Sequence, residues 1–206
     1  MLIGVDFDNT IVCYDDVFGK VAIEQGLVPP SAASSKASVR AHLRSIGQED
    51  RWTELQGYVY GPGMIDAAPF PGVVKFFERC REIGIPLAII SHRTRFPYVG
   101  EAHDLHKAAC DWLERYGFYD SLRAGLPVDR VFFEDTKEAK LKRIATVGCT
   151  HFLDDLPELL SLQGFPSHVR RFLFDPHSLH EPMPAIDIVT SWSGMETLLD
   201  EVWTKQ

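Results

Sequence analysis

The sequence predicts an α/β fold: a doubly wound, mainly parallel sheet with a small helical insertion. Three observations predict it. Short segments apolar on both faces recur along the chain, as strands buried in a parallel sheet do. Segments with apolar residues at helical spacing lie between them. One long stretch, residues 14–69, breaks the alternation and carries no strand pattern.

The first strand is Leu2 to Phe7, and Ile85 to Ser91 is apolar almost throughout. Arg130 to Phe133, His151 to Leu153, Arg171 to Phe174 and Ile186 to Val189 supply the rest. Val73, Phe76, Phe77 and Cys80 share one helical face after Pro71-Gly72, and Ala102, Leu105, Ala109, Trp112, Leu113 and Tyr116 share another. Thr136 is the expected N-cap of a helix that buries Ala139, Ile144 and Val147 and stops at Gly148. Met195, Leu198, Leu199 and Val202 mark a closing helix. Within the insertion, Val17, Phe18 and Val21 suggest one helix, Val39, Leu43 and Ile46 a second, and Trp52, Leu55 and Val59 a third. The domain organisation follows: an α/β core of 1–13 and 70–206, and a helical cap of 14–69. An insertion directly after the first strand is expected over the carboxyl edge of the sheet, where ligands bind in this fold class.

Composition narrows the partners. The chain has 206 residues, 21 Lys and Arg against 29 Asp and Glu, and a net charge of −8. Such an acidic chain is a poor binder of nucleic acid or anionic membrane. No apolar run is long enough to span a membrane, and the N-terminus does not read as a signal peptide. Cys13, Cys80, Cys110 and Cys149 show neither CxxC pairing nor finger spacing, which fits a reducing cytoplasm. No base partner stands near Cys13 in the sequence, so no thiol nucleophile is expected.

The chemistry starts at Asp6-Phe7-Asp8-Asn9-Thr10, at the end of the first strand. Carboxylates at i and i+2 of an extended chain point the same way, and burying both without compensation is costly. A hard divalent cation such as Mg²⁺ is the usual remedy. A lone DxD more often makes an Asx turn; the apolar strand before it and Ile11-Val12 after it point instead to a site. Asp154-Asp155, after Phe152-Leu153, is a second acidic pair at a strand end, and it can also cap the helix that Pro157 begins. Ser91 ends the strand IPLAIIS, where a hydroxyl and free backbone N–H groups can hold a phosphate oxygen. Lys137 and Lys140 fall at a helix N-terminus, a placement the helix dipole disfavours unless an anion lies beside them.

In this order, VDFDNT, LAIIS, the lysine of DTKEAK and FLDD resemble the haloacid dehalogenase superfamily, specifically its phosphatase branch with a helical cap after the first strand. The resemblance implies that Asp6 is a nucleophile forming an aspartyl-phosphate, and that Asp8 is the general acid/base. The dehalogenases of the superfamily lack that second acid. It further implies Mg²⁺ held by Asp6, Asp154 and the carbonyl of Asp8, with Asp155 acting through water or from behind. Thr10, Ser91 and a lysine would hold the phosphoryl group. The helix length between lysine and acidic pair favours Lys140, 14 positions before Asp154, with Lys137 as the alternative.

Caps of this kind differ too much for specificity residues to be carried over. The candidates are Arg51, Trp52, Gln56, Tyr58 and Tyr60 in RWTELQGYVYG, with Trp52 and Tyr58 equally able to pack the cap core. Arg93 could grip a second anionic group. Gly61-Pro62-Gly63 could be a hinge or a turn. His103 and His106 form HxxH with no matching third ligand. The expected activity is Mg²⁺-dependent hydrolysis of a small phosphorylated metabolite: a sugar phosphate, phospho-acid or nucleoside monophosphate. The alternatives are a phosphotransferase or mutase using the same intermediate, and a non-catalytic binder of a phosphorylated ligand. A monomer or homodimer is expected. No GxGxxG follows the first strand, so a dinucleotide-binding module is set aside.

Overall fold

The computed structural model describes residues 1–203, with side chains as far as Leu199. The inward face expected of Val202, and residues 204–206 of the expected core, lie outside the described residues. The chain divides into two compact units: Met1–Ile11 with Pro69–His92 and the segment from Tyr116 onward, and Val12–Ala68 with Arg93–Arg115.

In chain order, β1 (Ile3–Val5) is followed by β2 (Val12–Cys13), α1 (Asp15–Glu24), α2 (Lys36–Ser45), α3 (Glu49–Tyr60) and β3 (Ala68–Pro69). Then come α4 (Val73–Glu82), β4 (Leu87–His92), α5 (Leu105–Arg115), β5 (Val131–Glu134), α6 (Lys137–Val147) and β6 (His151–Asp154). The chain closes with α7 (Pro157–Leu160), β7 (Arg170–Phe174), β8 (Ile186–Val189) and α8 (Trp192–Trp203). β2 and β3 pair as a separate two-stranded sheet.

The first unit is a six-stranded sheet in the order β5-β4-β1-β6-β7-β8, with every adjacent pair parallel. The chain works outward from β1 through β4 to β5, then returns to the other side of β1 for β6. Strand order therefore reverses beside β1, and the crevice at the carboxyl ends of β1 and β6 is the topological switch point. The crossover helix α6 buries Leu141 and Ile144 against Ala88 and Ile90 of β4 and Phe152 of β6. Thr136 caps it, accepting from the Ala139 N–H at 3.1 Å, and Gly148 ends it in the left-handed region at φ 79°. Both signals are the ones the sequence carries.

Gly4 and Phe152 are in register on adjacent strands. A Cβ at Gly4 would stand 2.5 Å from the Phe152 ring and 2.8 Å from the Cys149 sulfur. The β1 backbone approaches this layer closely because position 4 has no side chain.

The second unit is helical. Phe18 stacks on Trp52 at 5.2 Å, with the edges of Tyr14 and Tyr60 around it. It is larger than the insertion read from sequence, because residues 93–115 pack into it. The apolar face of α5 buries Leu105, Ala109, Trp112 and Leu113, and the Trp112 indole donates to the Ala67 carbonyl at 2.8 Å. That helix begins at Leu105, not at Ala102, since the Asp104 carboxylate accepts from the Lys107 N–H and starts the turn. His103 consequently precedes the helix, and the HxxH pair shares no helical face. Gly61-Pro62-Gly63 leads into a 3₁₀ turn, Pro62–Asp66. Among the described residues, no helix is long and apolar enough to cross a membrane.

Two stability predictions follow from the first unit. Gly4→Ala forces a methyl group into a filled layer and should cost about 1–3 kcal/mol in denaturant unfolding; an unchanged midpoint would show that the layer yields. Asp175 is buried just past β7, and its carboxylate accepts from the Leu179 and His180 N–H groups at 3.0 and 2.9 Å. Burial alone would raise its pKa, but these bonds and the His180 ring hold it below the ordinary 3.8. Its stabilisation is thus complete above about pH 4 and lost as pH falls through the depressed value. Asp175→Asn should lower stability at pH 7 by about 1–3 kcal/mol and flatten the acid limb of a stability–pH curve.

Candidate active site

Register assembles the site. Val5 is level with Ile89 of β4 and Leu153 of β6, and the Asp6 N–H donates to the Leu153 carbonyl at 2.9 Å. The ladder therefore runs one residue past β1. Asp6 and Asp154 stand one step beyond the Val5–Leu153 pair on neighbouring strands, at the switch point. Residues level in a parallel pair share a face. Asp6 and Asp154 thus share the face covered by α6, and there the second turn of the helix delivers Lys140.

The Lys140 ammonium bonds Asp6 Oδ1 at 2.5 Å and Asp154 Oδ2 at 2.6 Å, with all three side chains essentially buried. Burial would pull the lysine pKa down; the charges of Asp154 and Asp6 outweigh it and hold the ammonium above its ordinary value. Lys137, the sequence alternative, is half-buried with no ion pair among the described residues.

Asp6 has the opposite problem. Burial pushes its carboxyl up from 3.8 to about 7, against Lys140 and with help from the nearby charges of Asp154 and Asp8. Carboxylate oxygens of Asp6, Asp154 and Asp155 lie within 4.8 Å of one another. Burial, together with the charges of Asp154 and Asp8, thus outweighs the pull of the Lys140 ammonium on Asp6. Three close carboxylates of which two are buried are oxygen donors that suit a hard divalent cation.

The turn after β1 is closed by the Ile11 N–H donating to the Phe7 carbonyl at 3.0 Å, with Asn9 at φ 57°. Asparagine tolerates this left-handed conformation better than most residues, which accounts for its place between Asp8 and Thr10. Thr10 is fully buried; its carbonyl accepts from the Trp192 indole at 3.1 Å, and its hydroxyl has no hydrogen-bond partner among the described residues. Ser91 is buried near the carboxyl end of β4, one pair short of its last residue. The Asp154 Oδ1 also accepts from the Leu156 N–H at 2.9 Å, so the acid both faces the cluster and holds the following turn.

The residues proposed to choose a substrate lie in the second unit, and the structure separates them. Trp52 is 2% exposed and stacked on Phe18, so it packs the core of that unit and cannot present its face to a ligand. Arg51 is exposed and paired with Glu54 at 2.8 Å. The Tyr60 hydroxyl accepts from the Lys36 ammonium at 2.9 Å. Gln56 is half-buried and Tyr58 is exposed. Arg93 is buried: its Nε donates to the Leu105 carbonyl, one Nη donates to the Tyr60 carbonyl, and its guanidinium lies over the Tyr60 ring. Those donors tie the end of α3 to the start of α5, a part that sequence alone does not reveal. His106 bonds the Arg93 carbonyl at 2.7 Å.

No protein-family model matches the sequence, and no curated protein matches it. Solved structures do. A HAD family hydrolase from Deinococcus radiodurans, with bound phosphate and sodium, aligns over 97% of this chain and 95% of its own, with TM-score 0.59 and 14% identity. The chain has the haloacid dehalogenase (HAD) fold. The same fold links it to a putative HAD hydrolase of Bacillus subtilis bound to magnesium, at TM-score 0.52 and 10% identity, over 97% of this chain and 98% of that one. An L-2-haloacid dehalogenase also shares the HAD fold, at TM-score 0.53 and 14% identity, over 97% and 98% of the two chains.

Lys140→Met should be strongly destabilising, by about 3–5 kcal/mol, because it strands buried carboxylates without a cation. The loss should shrink between pH 8 and pH 5.5, as protonation of Asp6 relieves the repulsion. A loss independent of pH in thermal or denaturant unfolding would contradict this charge balance.

Proposed function

We propose that the chain is a HAD-type phosphatase that hydrolyses a small phosphorylated metabolite with Mg²⁺, through an aspartyl-phosphate on Asp6. The observation that carries this reading is the buried meeting of Asp6, Lys140 and Asp154 at the switch point, with Asp155 within ligand distance. One crevice then holds a nucleophile, a cation and the oxygen donors for a metal.

Asp6 attacks phosphorus, and the bond from phosphorus to the ester oxygen breaks. Asp8 gives a proton to the departing oxygen. It then takes a proton from water, which attacks the acyl phosphate on Asp6 and releases inorganic phosphate. Lys140 neutralises charge between the anionic nucleophile and the phosphoryl oxygens. Ser91 and Thr10 supply hydroxyls for those oxygens, and the unpartnered Thr10 hydroxyl supports that use. Asp6, Asp154, the Asp8 carbonyl and, through water, Asp155 would hold Mg²⁺. When bound, the ion would supply the charge neutralisation that lets a carboxylate approach a phosphate dianion.

Dehalogenases share the fold, but a carbon–halogen bond yields a leaving group that needs no proton. Asp8, two residues after the nucleophile, favours phosphoryl transfer. The test is phosphate release from sugar phosphates, phospho-acids and nucleoside monophosphates, with Mg²⁺ or EDTA. Asp6→Asn should abolish turnover, Asp8→Asn should lower it by about 10²–10⁴, and EDTA should remove it. Chloride release from 2-chloropropionate should be absent. Phosphate release that survives in Asp6→Asn, or halide release in its place, would sink the reading.

A further inference from the structure

A cavity lies at the amino edge of the sheet, opposite the edge that carries Asp6. It measures about 430 Å³ and is formed within the first unit by the last turn of α4, the entry to β4 and the loop before β5. Phe77, Ile85, Leu87, Ala124 and Leu126 provide its apolar lining, and each is less than 9% exposed. Arg81 and Arg130 are its charged residues, and no acid lines it.

Both arginines stand without a counter-charge. Neither has an ion pair among the described residues, in a chain whose acids outnumber its bases by 29 to 21. Arg81 is nevertheless held in place. It donates to the Ser121 carbonyl at 2.7 Å, and its stem crosses Gly125, where a Cβ would come within 2.7 Å of Arg81 Cδ. Gly125 has φ 61°, so this loop conformation and the path of the arginine depend on the same residue. Arg130 is half-buried at the end of a short 3₁₀ turn, Val128–Arg130, that leads into β5. Arg81 is exposed, so its guanidinium is open to a ligand from solvent.

We propose that this cavity binds a small anion with an apolar body, of the class of acyl or aryl carboxylates and phosphate monoesters. The volume lies within the range of ordinary ligand pockets, and an apolar lining with a few placed charges is their usual composition. The apolar lining takes the body of the ligand. The two guanidinium groups take its head, since arginine matches carboxylate and phosphate oxygens in pairs. This site is independent of the chemistry assigned to Asp6.

The test is a ¹H–¹⁵N titration of the full chain with octanoate, octyl phosphate and octanol. Saturable shifts should be confined to residues 84–87 and 124–130. At least one anion should bind about tenfold or more tightly than octanol, and comparing the two anions identifies the head group. Arg81→Gln with Arg130→Gln should erase that advantage while leaving octanol binding and the remaining amide spectrum unchanged. Arg130→Gln alone, which leaves the Arg81–Ser121 bond intact, should reduce the advantage by several-fold. Octanol binding as tightly as both anions, shifts scattered over the surface, or no saturation by either anion would overturn the proposal.

Discussion

A single buried ammonium organises the first unit. Lys140 lies between Asp6, one residue past β1, and Asp154, the last residue of the neighbouring β6, and bonds both. Removing either kind of partner leaves an uncompensated charge inside the protein, which costs far more than a surface ion pair contributes. The cluster therefore fixes the register of β1 on β6 and the height of α6 above them at once. It also explains a lysine in the early part of a helix, where the dipole opposes it: the two carboxylates supply more favourable interaction than the dipole removes.

The neutralisation is incomplete, and the incompleteness is chemically useful. Lys140 is shared between two buried carboxylates, and its pull on Asp6 is smaller than the push of burial. Burial and neighbouring charge leave Asp6 with its carboxyl raised to about 7, poorly ionised for a nucleophile. A divalent cation among the three close oxygens would lower that value and restore the carboxylate. The same repulsion that makes the site costly to the fold makes it receptive to a metal and then to a phosphate dianion. On the same face of the sheet, Ala88, Ile90, Leu141, Ile144 and Phe152 form a buried apolar layer next to the cluster.

Most of this was legible because it is local. Apolar strands, the Thr136 cap, the Gly148 stop and the acidic strand ends are written in short windows, and the structure places them as the windows suggest. Lys140 meets Asp6 and Asp154, with α6 running from Lys137 to Val147 between the acidic strand ends. What was not legible depends on contacts between distant segments. That residues 93–115 join the helical unit is decided by Trp112 reaching Ala67 and Arg93 reaching Tyr60. Nothing within the segment itself announces either contact. Trp52 could pack or bind on its sequence alone; its stacking partner Phe18 lies 34 residues away, and only tertiary structure decides between the two.

In the first unit, Asp6 and Asp154 lie at the carboxyl edge of the sheet, and Arg81 and Arg130 line the cavity at its amino edge. The helix dipole accounts for part of that order. Arg79 and Arg81 occupy the last turn of α4, where the partial negative charge of the helix end favours a cation. Arg81 would be acceptable there with no ligand at all. Arg130 has no such excuse: it ends a three-residue 3₁₀ turn, too short to carry a useful dipole, and it is half-buried without an acid. The cavity argument therefore rests more on Arg130 than on Arg81. A guanidinium in that position, beside an apolar space with no carboxylate in its walls, is the feature that the fold alone does not require.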